Sequence, residues 1–127
     1  MVMLMTDRKT VVIVEDDYLI AEYIRAVCEV IGVDVIGMAD NAADAEKRVD
    51  ERQPEYVLMD VRLRGRQDGV DASLAIHEKF PEIKIIFVTG SDEPRTINRI
   101  HLDAPYKILI KPVEMADLQG ALDVATS

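Results

Sequence analysis

The sequence predicts an α/β fold in which helices cover both faces of a five-stranded parallel sheet. Five short apolar runs alternate with longer stretches of helical periodicity along the 127 residues. Several runs are apolar at nearly every position, as expected for strands buried on both faces. The length suffices for one hydrophobic core and not for two ordinary domains. We therefore expect one domain over residues 1–127, with its core at about 9–125.

The first half of the chain contains two strand–helix units. Residues 11–14 form the first predicted strand, and residues 33–36 form the second. The helix between them has one buried face, because apolar residues recur at steps of three and four, and it ends at Gly32. The second helix begins after Asn41 as its N-cap. Its buried side carries Ala42, Ala45 and Val49.

The second half contains three more units. The predicted strands are residues 56–59, 83–88 and 108–110. The third helix runs from about Val70 to His77 and ends before Pro81. The fourth begins in the segment SDEP at 91–94, because a polar cap, first-turn acids and an early proline are typical of helix starts. The fifth carries Met115, Leu118 and Leu122.

Composition excludes several classes of function. The formal charge is -9, with 24 acidic and 15 basic residues, which argues against direct nucleic-acid binding. No apolar run approaches the ~20 residues that cross a bilayer, and the N-terminus lacks the pattern of a signal peptide. The single cysteine, Cys28, cannot form an internal disulfide. These features predict a cytoplasmic protein without membrane association.

Polar residues of distinct chemical types follow four of the five predicted strands. The set comprises Glu15, Asp16 and Asp17 after the first strand, Asp60 after the third, Thr89 after the fourth and Lys111 after the fifth. Parallel strands place their carboxyl ends at one edge, so Asp16 and Asp60 face each other if the first and third strands are adjacent. Carboxylates with backbone carbonyls and water form an oxygen-only site suited to Mg²⁺.

Each of these residues alone also has an ordinary structural interpretation. An acidic pair after a strand is common as a helix cap in a solvated loop, Thr89 suits any strand end, and the stem of Lys111 could pack along the sheet. Their occurrence at successive strand ends favours a shared site.

The motifs VIVEDD, VLMD, FVTG and IKP, in this order and spacing, resemble the receiver domain of bacterial two-component response regulators. The resemblance covers residues 9 to 125 and implies a flavodoxin-like, doubly wound (βα)5 fold with strand order 2-1-3-4-5 and no output domain. It also implies that the domain is a phosphoacceptor switch and not an enzyme beyond self-phosphorylation and slow autodephosphorylation.

The resemblance implies a role for each site residue. Asp60 would accept a phosphoryl group from a sensor histidine kinase or a histidine phosphotransfer protein. Asp16 and Asp60 would bind Mg²⁺ directly with the backbone carbonyl of Arg62, and Glu15 would act through metal-bound water. Thr89 and Lys111 would contact phosphoryl oxygens, and Asp17 would cap the first helix.

The resemblance further implies an output by protein binding. The fourth helix, fifth strand and fifth helix would bind a downstream protein or a second copy in a homodimer. One alternative is a pseudo-receiver that binds partners without phosphorylation. Another, a hydrolase with an aspartate nucleophile, needs a general acid two residues after Asp60, where this chain has Arg62.

Two positions depart from the common receiver pattern. The loop DVRLRGRQDG is one residue longer than usual, and Gly65 is expected to supply its turn. Three residues before Lys111, where most receivers carry a switching aromatic, this chain has Ile108. Either Tyr106, expected on the same strand face, substitutes for it, or the signal travels through the segment from Ser91 to Leu102.

Overall fold

The computed structural model describes residues 8–125. The first seven residues, which were part of the argument against a signal peptide, lie outside the described residues. Its strands are β1 (Thr10–Val14), β2 (Asp34–Ala39), β3 (Tyr56–Met59), β4 (Lys84–Thr89) and β5 (Lys107–Ile110). Its helices are α1 (Tyr18–Val30), α2 (Ala42–Arg52), α3 (Gly69–Lys79), α4 (Pro94–Ile100) and α5 (Met115–Ala121). All pairings are parallel and the order β2-β1-β3-β4-β5 confirms the predicted fold.

The sheet separates two hydrophobic clusters. Side chains alternate along β3, so Tyr56 and Leu58 face the cluster under α1 and α5, whereas Val57 and Met59 face the cluster under α2, α3 and α4. All four side chains are buried, which explains why β3 is apolar at every position. The two-sided burial leaves the strand ends as the natural location for polar groups.

Side-chain caps fix where three of the helices begin. Asp17 Oδ1 accepts hydrogen bonds from the N–H groups of Leu19 at 3.0 Å and Ile20 at 3.2 Å, which confirms its predicted capping role. Asn41 caps α2 as predicted. Helix α3 starts at Gly69, slightly before the predicted position, because Asp68 and Asp71 form a reciprocal capping box.

Helix α4 begins later than its acidic residues suggested. Its first residue is Pro94, and the N-cap Glu93 makes no side-chain capping hydrogen bond. Asp92 and Glu93 therefore precede the helix, and the expectation of acids within its first turn was wrong. Ser91 instead organises the segment, since its hydroxyl accepts the N–H of Glu93 at 3.2 Å.

Tyr106 does not share a face with Ile108, so that expectation was also wrong. Tyr106 lies just before β5, and its ring packs edge-on against Tyr56, with ring centroids 6.1 Å apart. Its hydroxyl donates to Asp123 Oδ2 at 2.6 Å, beside α5. Ile108 packs on the opposite face of the sheet. The aromatic ring is therefore held away from the strand face that a substitute switch would need.

The long loop after β3 turns as expected, because Gly65 has a φ of 92°. Next to that turn, Arg64 lies 3.7 Å from Asp40 and forms an isolated β-bridge with Asn41. Across residues 8–125, no helix combines the length and hydropathy needed to cross a membrane.

Candidate functional site

The carboxyl ends of four strands bring the predicted site residues to one edge of the sheet. The backbone N–H of Asp60 donates to the carbonyl of Val14 at 2.9 Å, which sets β1 beside β3. The N–H of Lys111 donates to the carbonyl of Thr89 at 2.8 Å, which sets β5 beside β4. Glu15, Asp16, Asp60, Thr89 and Lys111 all line one cleft of about 700 Å³. The predicted constellation therefore assembles.

Three carboxylates form the acidic part of this cleft. Glu15, Asp16 and Asp60 each offer an oxygen that lies within 4.8 Å of the others. Glu15 and Asp60 are only 4% and 6% exposed. Burial, followed by the neighbouring Asp60 carboxylate, raises the pKa of Glu15. Burial, followed by contact with Glu15, raises the pKa of Asp16. Carboxylates this close repel each other unless a cation lies between them.

Glu15 supplies a direct test of whether a divalent cation fits. Its buried Oε1 atom has the Lys111 ammonium beside it, but that ammonium is shared with Asp60. Three carboxylates around one ammonium leave negative charge unbalanced, and a divalent cation can balance it. The all-oxygen donor set matches the preference of Mg²⁺. The residues at this cleft thus fit Mg²⁺.

Lys111 adds one positive charge between two of these acids. Its Nζ lies 2.7 Å from Glu15 Oε1 and 3.2 Å from Asp60 Oδ2. The ion pair with Glu15 is the shorter of the two, and Asp60 Oδ2 accepts a hydrogen bond from the ammonium. Burial alone would lower the pKa of Lys111, but the two carboxylates outweigh it and raise that pKa. The ammonium is therefore held in its charged form beside Asp60. The Lys111–Pro112 peptide bond is cis.

Thr89 occupies the cleft wall opposite the acids. Its hydroxyl oxygen accepts the N–H of Ser91 at 3.1 Å and lies 3.4 Å from the carbonyl of the same residue. The side chain is almost fully buried at 3% exposure. The hydroxyl therefore couples the end of β4 to the segment leading into α4.

Arg62 lies where the resemblance placed it, directly after Asp60 and Val61 on the cleft rim. Its backbone N–H is 3.4 Å from Asp60 Oδ1, which orients the carboxylate. The expected metal contact through the Arg62 carbonyl stays a prediction. An arginine here offers no acid for the hydrolase alternative.

The cleft also includes residues that the sequence patterns did not single out. Arg95 and Thr96, from the first turn of α4, line it beside Ser91. The start of α3 lies behind Asp60, where a Cβ at Gly69 would come within 1.9 Å of the Asp60 carbonyl oxygen. The pattern Asp68-x-x-Asp71 before an apolar run was a signal that could have located this helix start.

Comparison with known proteins places this architecture in a family. Residues 11–123 match the family described as response regulator receiver domain. The chain belongs to this family. This receiver domain is 33% identical over 113 residues to the response regulator GacA of Pseudomonas syringae, covering 88% of the chain and 52% of GacA. It is 28% identical over 119 residues to the transcriptional regulatory protein PdtaR of Mycobacterium tuberculosis, covering 94% and 57% respectively.

A solved structure extends the likeness to three dimensions. The signal receiver domain of a modulated diguanylate cyclase from Desulfovibrio desulfuricans superposes with a TM-score of 0.86 and 33% sequence identity, covering 94% of each chain. This receiver domain spans about half the length of the curated relatives it matches. Receiver domains are signalling switches that bind Mg²⁺ at an acidic pocket, and the acidic cluster of this chain is consistent with that.

Proposed function

We propose that this receiver domain accepts a phosphoryl group on Asp60 in a Mg²⁺-dependent reaction, with a phosphohistidine of a sensor kinase or phosphotransfer protein as donor. The observation that carries the proposal is the position of Asp60. Its buried carboxylate lies in the cleft beside the Lys111 ammonium and two further acids. The ammonium can pair with an anionic oxygen of the transferring group, and the acids can hold the divalent cation that phosphoryl transfer uses.

Each site residue has a proposed role that its place in the cleft supports. An Asp60 oxygen forms the new bond to phosphorus while the bond from phosphorus to the donor imidazole breaks, and the imidazole nitrogen keeps that electron pair. Asp16, Asp60 and the Arg62 carbonyl would hold Mg²⁺, with Glu15 acting through its water, and the ion would neutralise charge on the transferring oxygens. Lys111 would pair with one phosphoryl oxygen. Thr89 would donate its hydroxyl to another, leaving Ser91.

We propose that the output is a change in protein binding at the face formed by α4, β5 and α5. Large apolar side chains are exposed in these elements and in the segment that joins α4 to β5, namely Leu102, Tyr106, Ile110 and Met115. Contiguous exposed apolar surface is typical of interaction sites. The partner would be a downstream protein or a second copy of the domain. Direct nucleic-acid binding is not part of the proposal.

Intact mass after incubation with Mg²⁺ and a small acyl phosphate tests the phosphorylation. We expect one phosphoryl adduct on the wild-type protein, none on Asp60→Asn, and an unchanged adduct on Asp50→Asn, which replaces an exposed aspartate on α2. An adduct that survives Asp60→Asn, or no adduct on the wild type, would refute the proposal.

The pseudo-receiver is the second candidate, and Ile108 in place of the usual aromatic is the observation that favours it. It predicts that partner binding is equally strong for wild-type protein and Asp60→Asn, with and without the phosphodonor. Phosphorylation-dependent binding of the wild type alone would exclude it.

A further inference from the structure

A polar clamp fastens α4 to the start of α3. Arg99 Nε lies 2.8 Å from Asp68 Oδ2, and its Nη2 lies 3.0 Å from Asp68 Oδ1. The same Nη2 lies 3.2 Å from Asp71 Oδ1. Burial pulls the pKa of Asp68 upward, but the hydrogen bonds and charge of Arg99 outweigh it, so this pKa lies below its usual value. Such two-pronged pairs are the geometrically specific form of an arginine contact. We call Arg99, Asp68 and Asp71 the α4 clamp.

Helix α4 depends on tertiary contacts for its position. It has seven residues and its N-cap Glu93 makes no side-chain capping bond, and a helix this short is not stable by itself. Ile97 and Ile100 pack on the core, and the Thr96 hydroxyl donates to that of Ser91 at 3.4 Å. The α4 clamp is the charged contact that adds to this packing.

The other end of the clamp is joined to the backbone of the phosphoacceptor. Gly69, the residue after Asp68, lies so close to Asp60 that a Cβ would come within 1.9 Å of its carbonyl oxygen. The Gly69 N–H also donates to the carbonyl of Val61 at 2.7 Å. A continuous set of contacts thus runs from Asp60 through the start of α3 to α4, on the side of the sheet where Ile108 packs.

We infer that the α4 clamp couples the position of α4 to the occupancy of Asp60, with Arg99 as a positioning residue. The inference rests on the proposed function. The clamp is made in the conformation where the Thr89 hydroxyl bonds to Ser91. If Thr89 leaves Ser91 for a phosphoryl oxygen, the segment leading into α4 must move, and that movement strains the clamp. The clamp therefore opposes the phosphorylated conformation, and losing it favours that conformation.

Binding of beryllium fluoride, an acyl phosphate mimic, tests this inference by titration at saturating Mg²⁺. The variants are Arg99→Gln, Asp68→Asn and the double variant; asparagine at 68 keeps a capping oxygen for α3. The matched control is Arg48→Gln, because Arg48 has a comparable exposure of 43% against 40% for Arg99 and pairs with Glu51 on α2, away from the cleft. Thermal melting verifies that every variant is folded.

We expect Arg99→Gln to bind beryllium fluoride about threefold more tightly than wild type, in line with the energy of a partly exposed ion pair. Asp68→Asn should tighten binding by a smaller factor, because Arg99 keeps its contact to Asp71. The double variant should match Arg99→Gln, which already removes every contact of the clamp. Arg48→Gln should match wild type, and Mg²⁺ affinity without beryllium fluoride should be equal throughout. That last readout separates positioning from general damage to the site.

Several outcomes would overturn the inference alone: affinities equal to those of Arg48→Gln, weaker binding by the clamp variants, or fully additive effects in the double variant. Failure of the wild type to bind beryllium fluoride would instead refute the proposed function, and the inference with it.

Discussion

The Lys111 ammonium lies 2.7 Å from the buried Glu15 carboxylate, closer than its 3.2 Å distance from Asp60. One ammonium therefore pairs with two carboxylates in the same cleft. Asp16 adds a third carboxylate to the cluster. The charge balance of the site is thus incomplete with protein groups alone, and this shapes its response to metal, protons and substitution.

Substituting Lys111 should make stability depend strongly on Mg²⁺. Lys111→Met removes the cation that two buried carboxylates share, and breaking a buried pair costs on the order of 3 kcal/mol. We expect the thermal unfolding temperature of this variant in a chelator to be clearly lower than that of wild type, and to rise most of the way back when Mg²⁺ is added. An unfolding temperature that is the same with and without Mg²⁺ would contradict this. The control is Lys47→Met, which replaces a lysine on α2.

The three consecutive acids after β1 should respond unequally. Asp16→Ala should abolish measurable Mg²⁺ binding, and Glu15→Ala should weaken it in part, because their oxygens belong to the acidic cluster. Asp17→Ala should leave Mg²⁺ affinity unchanged and lower the free energy of unfolding by about 1 kcal/mol, since Asp17 caps α1. Calorimetric titration and denaturant unfolding measure the two effects. Equal losses of Mg²⁺ affinity in all three variants would disprove this division of roles.

Mg²⁺ affinity should decrease on acidification at a higher pH than ordinary carboxylates would cause. The pKa values of Glu15 and Asp16 are raised, chiefly by burial, so protons occupy these groups sooner as the pH falls. Mg²⁺ affinity is then highest above the raised pKa values and decreases as the pH falls through them. Titrations run from neutral pH down through the ordinary carboxylate range measure this loss. Glu15→Gln should bind more weakly but with a shallower pH dependence; an equally steep curve would argue against competition at Glu15.

Tyr106 should not transmit the signal. Its hydroxyl is bonded to Asp123 and its ring packs on Tyr56, on the face opposite Ile108. Tyr106→Phe should therefore keep the wild-type rate of adduct formation on Asp60 and the same affinity for beryllium fluoride. The measurement is the time course of intact mass beside the titration. A clear change in either quantity would restore Tyr106 as a substitute for the missing aromatic.

The site residues were predictable because each of them directly follows a strand that the sequence itself predicts. Asp60, Thr89 and Lys111 each follow a buried strand, and parallel strands bring such residues to one edge without further information. The first helix was equally predictable, since Asp17 has both the residue type and the position of an N-cap. Strand β3 has its predicted bounds, and the other strands differ from theirs by at most three residues at either end, as at β2, where the ladder continues to Ala39.

The α4 region was less predictable because its structure depends on contacts that are distant in sequence. Arg99 contacts Asp68, which lies 31 positions earlier in the sequence, and no local sequence pattern predicts this pair. The acids before Pro94 suited a first turn by composition, but they precede the helix, and the hydroxyl of Ser91 accepts the N–H of Glu93. Tyr106 matched the alternation of a strand, yet it lies outside β5, where alternation does not apply.

Two glycines of this domain should behave differently in a saturation library. Gly65 has a φ of 92° and nothing within 4 Å of a Cβ, so asparagine or aspartate, which tolerate the left-handed region, should survive there. Gly69 has no such outlet, because any side chain would collide with the Asp60 carbonyl. Selection for a functional cleft should thus accept a few residue types at position 65 but only glycine at position 69, four positions away.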